Sequence, residues 1–240
     1  MNSKIIKYII IILLLPVVPL KATAQTGIYY STNGQLSSSL INQLYQDHRG
    51  FIWISTEFGL NKFDGTHFIH YKHIDNDSTS LINNHVRGVF EDSYRNLWIR
   101  CLGGLMLYHP ETDNFELIKI EGKEGRHVTN IMELHNGEVW GITTGDTIFR
   151  INLTQKVIEP IDEINRKLRL KSFSSIYEDT RRNLWFISET QGLLCFNPKS
   201  EEIQHFKYPD IPENNISAIK EDQNGNLFIG TLTKGLCLYN

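Results

Sequence analysis

All four tryptophans of this 240-residue chain stand at one position of a repeated string. Trp53 follows Asp47-His48-Arg49-Gly50-Phe51-Ile52, and Trp98 follows Glu91-Asp92-Ser93-Tyr94-Arg95-Asn96-Leu97. Trp140 follows His135-Asn136-Gly137-Glu138-Val139, and Trp185 follows Glu178-Asp179-Thr180-Arg181-Arg182-Asn183-Leu184. A fifth copy carries Phe228 instead, after Glu221-Asp222-Gln223-Asn224-Gly225-Asn226-Leu227. The anchors are spaced 45, 42, 45 and 43 residues apart. A fixed period of this length means a stack of supersecondary units that share one core, so it decides the fold before any local propensity does.

Within each period a short apolar segment precedes the anchor: Leu40 to Tyr45, Val86 to Phe90, Val128 to Leu134, Phe173 to Tyr177 and Ile216 to Ile219. A glycine-led segment follows it, at Gly59-Leu60, Gly104-Leu105, Gly192-Leu193 and Gly235-Leu236, with a degenerate form at Gly145 to Arg150. An aromatic tail closes three copies, at Phe68 to Tyr71, Phe115 to Ile118 and Phe206 to Tyr208. These segments are rich in β-branched and aromatic residues, and the Asp, Gly and Asn between them are turn formers. Four short strands in about 43 residues make one blade of a β-propeller. The expected fold is therefore all-β, a β-propeller of about five four-stranded antiparallel blades anchored near Trp53, Trp98, Trp140, Trp185 and Phe228, with a solenoid as the rival stack. Only Ile161, Ile164 and Leu168 suggest a helix, in a linker between repeats.

Residues 1–24 stand apart. Lys4 and Lys7 precede an apolar run from Tyr8 to Val18, and Ala22-Thr23-Ala24 follows, the pattern of a secretory signal peptide. Cleavage after Ala24 would leave residues 25–240 as the propeller and place it in the periplasm. It would also remove Lys4, Lys7 and Lys21 and no acid, lowering the net charge from −3 to −6. The densest basic stretch, Arg166, Lys167, Arg169 and Lys171, is short and broken by leucines. Nucleic acid is therefore not an expected partner. Cys101, Cys195 and Cys237 each lie in an apolar strand-like run with no Cys-x-x-Cys spacing, so they read as buried free thiols.

The repeated string resembles the two-component-regulator propeller repeat. The first copy carries the resemblance best: Leu36-Ser37, Asp47 to Gly50, Phe51-Ile52-Trp53-Ile54-Ser55-Thr56, Gly59-Leu60, Phe63-Asp64-Gly65 and Phe68 to Tyr71. The resemblance implies the periplasmic sensor portion of a hybrid two-component system that responds to glycans, with further propeller and kinase domains, or a homodimer partner, to pass the signal on. It also implies seven blades, so five repeats would be an open or truncated part of such a ring. The alternative is a closed five-bladed ring, in which Gly27 to Ser31 supplies the outer strand that the fifth copy lacks. No kinase or ATP-binding motif is seen in these residues. A propeller-fold carbohydrate-active enzyme and a truncated, non-functional gene fragment stay open as alternatives.

What recurs between copies is scaffold, and what differs is where function can lie. The acids Glu91-Asp92, Glu178-Asp179 and Glu221-Asp222 recur at one offset and read as turn residues rather than a glycosidase pair. His67 and His73 share a strand face but stand roughly 20 Å apart at about 3.3 Å per residue, so no metal site and no cofactor is expected. The turns after the anchors do vary, and they give the ligand-binding candidates Glu57, Phe58, Glu189, Gln191 and Lys234. Arg100 joins them because it stands where copy one has Ser55 and copy five has Gly230. An arginine there lines the central channel or the loop face, or extends to solvent.

Overall fold

The computed structural model describes residues 27–120, 127–145, 147–168 and 173–239. The expected leader, residues 1–24, lies outside them. Two units are distinguished, residues 1–30 and 31–240. In the first, residues 27–30 carry no strand.

The second unit is a stack of five antiparallel blades. Blade one comprises β1 (Ile41–Gln46), β2 (Ile52–Thr56), β3 (Gly59–Phe63) and β4 (Phe68–Tyr71). Blade two comprises β5 (Val86–Glu91), β6 (Leu97–Cys101), β7 (Gly104–His109) and β8 (Asn114–Ile120). Blade three comprises β9 (Val128–Glu133), β10 (Val139–Thr143), β11 (Ile148–Asn152) and β12 (Val157–Pro160). A helix, α1 (Asp162–Leu168), follows, with Ile164 and Leu168 buried as its spacing predicts. Blade four comprises β13 (Phe173–Glu178), β14 (Leu184–Ser188), β15 (Gly192–Phe196) and β16 (Ile203–Phe206). Blade five has three strands, β17 (Ile216–Glu221), β18 (Leu227–Thr231) and β19 (Leu236–Tyr239).

Three details depart from the sequence reading. Gly27 to Ser31 form no strand, so the fifth sheet keeps three strands among the described residues. The tail strand of blade four ends at Phe206, which pairs with Leu193 as Tyr71 pairs with Leu60; Tyr208 instead lies in a turn closed by Asp210 N–H to Lys207 O at 2.8 Å. Blade three has a fourth strand that carries no aromatic tail. Its β12 pairs in parallel with β8, Val157 with Lys119 and Ile158 with Ile120, and so joins blades two and three into one eight-stranded sheet.

Blades pack face to face, and the anchors fill the layers between them. Trp53 is fully buried in one cluster with Val86, Val89, Leu97 and Tyr108 of blade two. Trp98 packs with Val128 and Val139 of blade three, Trp140 with Phe173 and Leu184 of blade four, and Trp185 with Ile216 and Leu227 of blade five. Burying such a ring gives each layer its largest apolar contribution. The two end faces lack this cover. Ile41 and Leu44 on blade one are 47% and 63% exposed, whereas their equivalents Val86 and Val89 on blade two are 0% and 1%. Leu236 on blade five is 66% exposed, whereas Leu60, Leu105 and Leu193 are each 0%. Blades one and five therefore do not close on each other, and the array is open rather than a sealed five-bladed ring.

Two polar devices repeat along the stack. The first lies within a blade. Asp47, Asp92 and Asp179 each accept the indole N–H of their own tryptophan, at 2.9, 2.9 and 2.8 Å. They also accept turn amides, so the carboxylate ties the turn to the ring. The second lies between blades. Glu91, Glu133, Glu178 and Glu221 each accept the backbone N–H of a residue in the preceding blade: His48, Ser93, His135 and Thr180, at 2.9, 2.8, 2.8 and 2.7 Å. The tandem acids are thus half turn and half inter-blade clamp.

Candidate functional site

The strands of a blade alternate in direction, so the turns between second and third strands lie at the same end as the loops that lead into each first strand. The hydrogen bonds show this: Leu102 N–H reaches His85 O at 2.9 Å, Thr144 N–H reaches His127 O at 2.8 Å, and Leu232 N–H reaches Asn215 O at 3.0 Å. This loop end carries every candidate taken from the variable turns.

Glu57 forms an ion pair with His85 Nδ1 at 2.9 Å, linking the first blade's turn to the start of the second blade. Phe58 beside it is 60% exposed. Glu189 is an exposed turn residue of blade four, and the carbonyl of Gln191 there meets His205 Nε2 at 2.7 Å. Lys234 belongs to the blade-five turn, where Glu213 accepts the Thr233 N–H at 2.8 Å. The structure brings Glu57 and Arg100 to one neighbourhood, at the junction of blades one to three. Glu189, Gln191 and Lys234 belong to blades four and five.

Arg100 does not extend to solvent. It lies on β6 opposite Gly88 of β5, on the same face as Trp98. A Cβ on Gly88 would stand 2.5 Å from Arg100 Nη2 and would also run into the Gln43 amide, so glycine makes room for both side chains. The wider pattern explains the pairing. Gln43 Oε1 accepts Val89 N–H of the next blade at 2.7 Å, and Asn130 Oδ1 accepts Ile176 N–H at 3.3 Å. Gly88 has no side chain to make that bond, and Arg100 Nη1 instead donates to Thr129 O of blade three.

Three residues absent from the sequence candidates complete the cluster. Arg87 occupies the bulge at the start of β5, where the other blades have Asn42, Thr129, Ser174 and Ser217. His127 Nδ1 accepts the Gly103 N–H at 2.5 Å, which fixes the ring as neutral with its other nitrogen protonated. Burial, then Arg87 and His85, hold the His127 pKa below its ordinary value. Burial, then Arg87, likewise lower that of Arg100. The Nε atoms of Arg87 and Arg100 are both buried without a hydrogen-bond partner among the described residues. The signal for Arg87 was present in the sequence: aligning the first strands residue by residue sets one arginine against four small polar side chains.

Two other polar regions lie apart from this cluster. Inside the first blade interface Lys62 Nζ donates to Tyr108 Oη at 3.1 Å, and Asp113 accepts the hydroxyls of Tyr108 and Tyr71 at 2.5 and 2.6 Å. The rings of Phe51, Trp53 and Tyr108 stand 4.5, 5.4 and 5.4 Å from the ammonium. Each polar end has its partner, so the network ties two blades together. At the opposite end of the stack a groove of about 560 Å³ is lined by His48, Arg49, Tyr94, Arg95 and His109 among others. Its Asp47, Glu91 and Asn96 belong to the recurring turns.

Fold and repeat together define a β-propeller protein built from serial blades. The family model for the two component regulator propeller matches residues 35–58 and 210–233, the beginnings of the first and fifth copies. No curated protein sequence matches the chain. Among solved structures, the chain is similar to the extracellular domain described for a hybrid two component system of B. thetaiotaomicron, with 28% identity and a TM-score of 0.75 over 89% of this chain and 30% of that one. The extracellular domain described for a one component system of the same organism follows, with 21% identity, a TM-score of 0.70 and coverage of 84% and 30%. Virginiamycin B lyase of Staphylococcus aureus matches at 16% identity and a TM-score of 0.61, over 88% of this chain and 72% of that one. The last two show the fold alone. The chain spans about 30% of the length of the extracellular domains it matches.

Proposed function

We propose that this chain is an extracytoplasmic ligand-recognition module of a two-component signalling system, and that its ligand is an oligosaccharide. One observation carries the reading: the stack follows the extracellular domain of a hybrid two component system over 89% of its length at 28% identity, in a chain whose own repeats match the regulator-propeller model. The leader pattern in residues 1–24 supports export to the periplasm. The variable loop end supports recognition, because binding residues concentrate on loops that a rigid scaffold positions. The module does not catalyse a reaction in this reading. Further propeller or kinase domains, or a second copy, would carry the signal onward.

The test is a thermal-shift and calorimetric screen of the chain from residue 25 onward against neutral and acidic oligosaccharides. The reading expects at least one class to raise the melting temperature in a saturable way, since a ligand that binds only the folded state stabilises it. It also expects no glycan to be cleaved. Turnover of any sugar would overturn it in favour of a carbohydrate-active enzyme.

A further inference from the structure

We infer that Arg87 and Arg100, with His127 beside them, form an oxyanion subsite that takes a carboxylate or sulfate group of the ligand. The inference rests on the recognition reading above and names the chemistry that the loop end selects.

A guanidinium keeps its charge in any protein environment and offers five N–H donors. Removing that charge from water without a counter-charge is among the costlier things a fold can do. Arg100 is placed where this cost falls: it donates to a backbone carbonyl, Thr129 O, and its Nε is buried and unpartnered among the described residues. At the adjoining bulge Arg87 is half-buried, and its Nε is likewise buried and unpartnered among the described residues. Two like charges side by side destabilise each other, so neither serves as the other's partner. On the first blade's turn, the Glu57 carboxylate is engaged by His85.

The fold makes deliberate room for this arrangement. Gly88 is the residue that lets the Arg100 guanidinium lie over β5, and in blades one and three the same place holds Gln43 and Asn130. The amide that links blades elsewhere is therefore replaced by a guanidinium, which makes one bond to the next blade and brings a charge and further donors that the link does not use. His127 uses Nδ1 to accept an amide, which leaves its protonated Nε2 as a further donor. Guanidinium forks match planar carboxylates and tetrahedral sulfates in two-point contacts. An acidic sugar supplies either group.

The experiment is an NMR titration of the chain from residue 25 onward with sodium glucuronate, sodium sulfate and glucose, each at matched ionic strength held with sodium chloride. Glucuronate or sulfate should shift the Arg87, Arg100 and His127 side-chain signals saturably, and glucose should not. A response to glucuronate alone assigns a carboxylate, and a response to sulfate alone assigns a sulfate. Arg87→Gln leaves the Arg100 contact to blade three in place and should weaken anion binding about tenfold, the loss of one charge-assisted pair. Arg100→Gln should abolish it, although that variant also removes a link between blades. No saturable shift with either anion, or equal affinity in Arg87→Gln, overturns the subsite. Neither result touches the sensor reading, which the oligosaccharide screen tests separately.

Discussion

Glu91 of the second blade accepts the backbone N–H of His48 in the first at 2.9 Å, and its other oxygen meets the His48 ring. Its carboxylate is 6% exposed. The same clamp recurs at Glu133, Glu178 and Glu221. Blade one has Gln46 at this position, and the Gln46 amide turns back to Gly50 O of its own blade. Glu91→Ala should therefore cost about 1–3 kcal/mol by removing charge-assisted bonds between blades. Gln46→Ala should stay within about 0.5 kcal/mol. Urea denaturation of both variants checks the contrast, and equal losses would remove the clamp from the account.

Asp92 is 2% exposed and accepts from Tyr94 N, Asn96 N, the Asn96 amide and the Trp98 indole. Replacing it with alanine leaves all four donors without their acceptor. Asp92→Ala should cost at least about 3 kcal/mol, with altered Trp98 fluorescence before the unfolding transition. Blade three has Leu134 at this place, and Trp140 Nε1 bonds Glu138 at 3.2 Å instead. Leu134→Asp should for that reason not repair blade three unless the turn is rebuilt with it.

Much of this was legible in the sequence, and the limits have physical causes. The anchors and the first strands stand where the periods place them, and the linker helix stands where Ile161, Ile164 and Leu168 place it, because each is set by local pattern. Gly27 to Ser31 are apolar enough to be a strand, but a strand needs an edge to pair with, and pattern alone does not supply one. The parallel meeting of β8 and β12 depends on how two blades splay, which no single repeat encodes. Arg100 was visible as the odd residue among Ser55 and Gly230. Its burial was not, because that depends on Gly88 across the strand pair and on a carbonyl of the next blade.

His127 should titrate below its ordinary value of 6.5, and Arg87→Gln should raise its pKa by removing a neighbouring positive charge. The groups that face it are Arg87 and His85, the latter paired with Glu57. Unfolded His127 takes up its proton first as the pH falls. Its contribution to stability is thus complete above about 6.5, declines below that, and levels off once the folded ring is protonated too. Histidine side-chain NMR follows the titration directly. An unshifted or raised pKa would mean that the basic cluster does not exist in solution.

Cys101 and Cys195 are buried, and burial pushes both thiols up to about 12. Cys237 is half-buried on β19. Since the thiolate is the reactive form, iodoacetamide should label Cys237 alone in the native protein and all three cysteines in urea. Rapid native labelling of Cys101 would show that the layer between blades one and two opens.

Under the recognition proposed above, the ligand sits at the loop end of blades one to three. Amide chemical-shift mapping with whichever oligosaccharide proves to bind tests it most directly. Shifts should concentrate at Glu57, Phe58, His85, Arg87, Arg100 and His127. Shifts concentrated instead at Arg49, Tyr94, Arg95 and His109, around the groove at the opposite end, would contradict it.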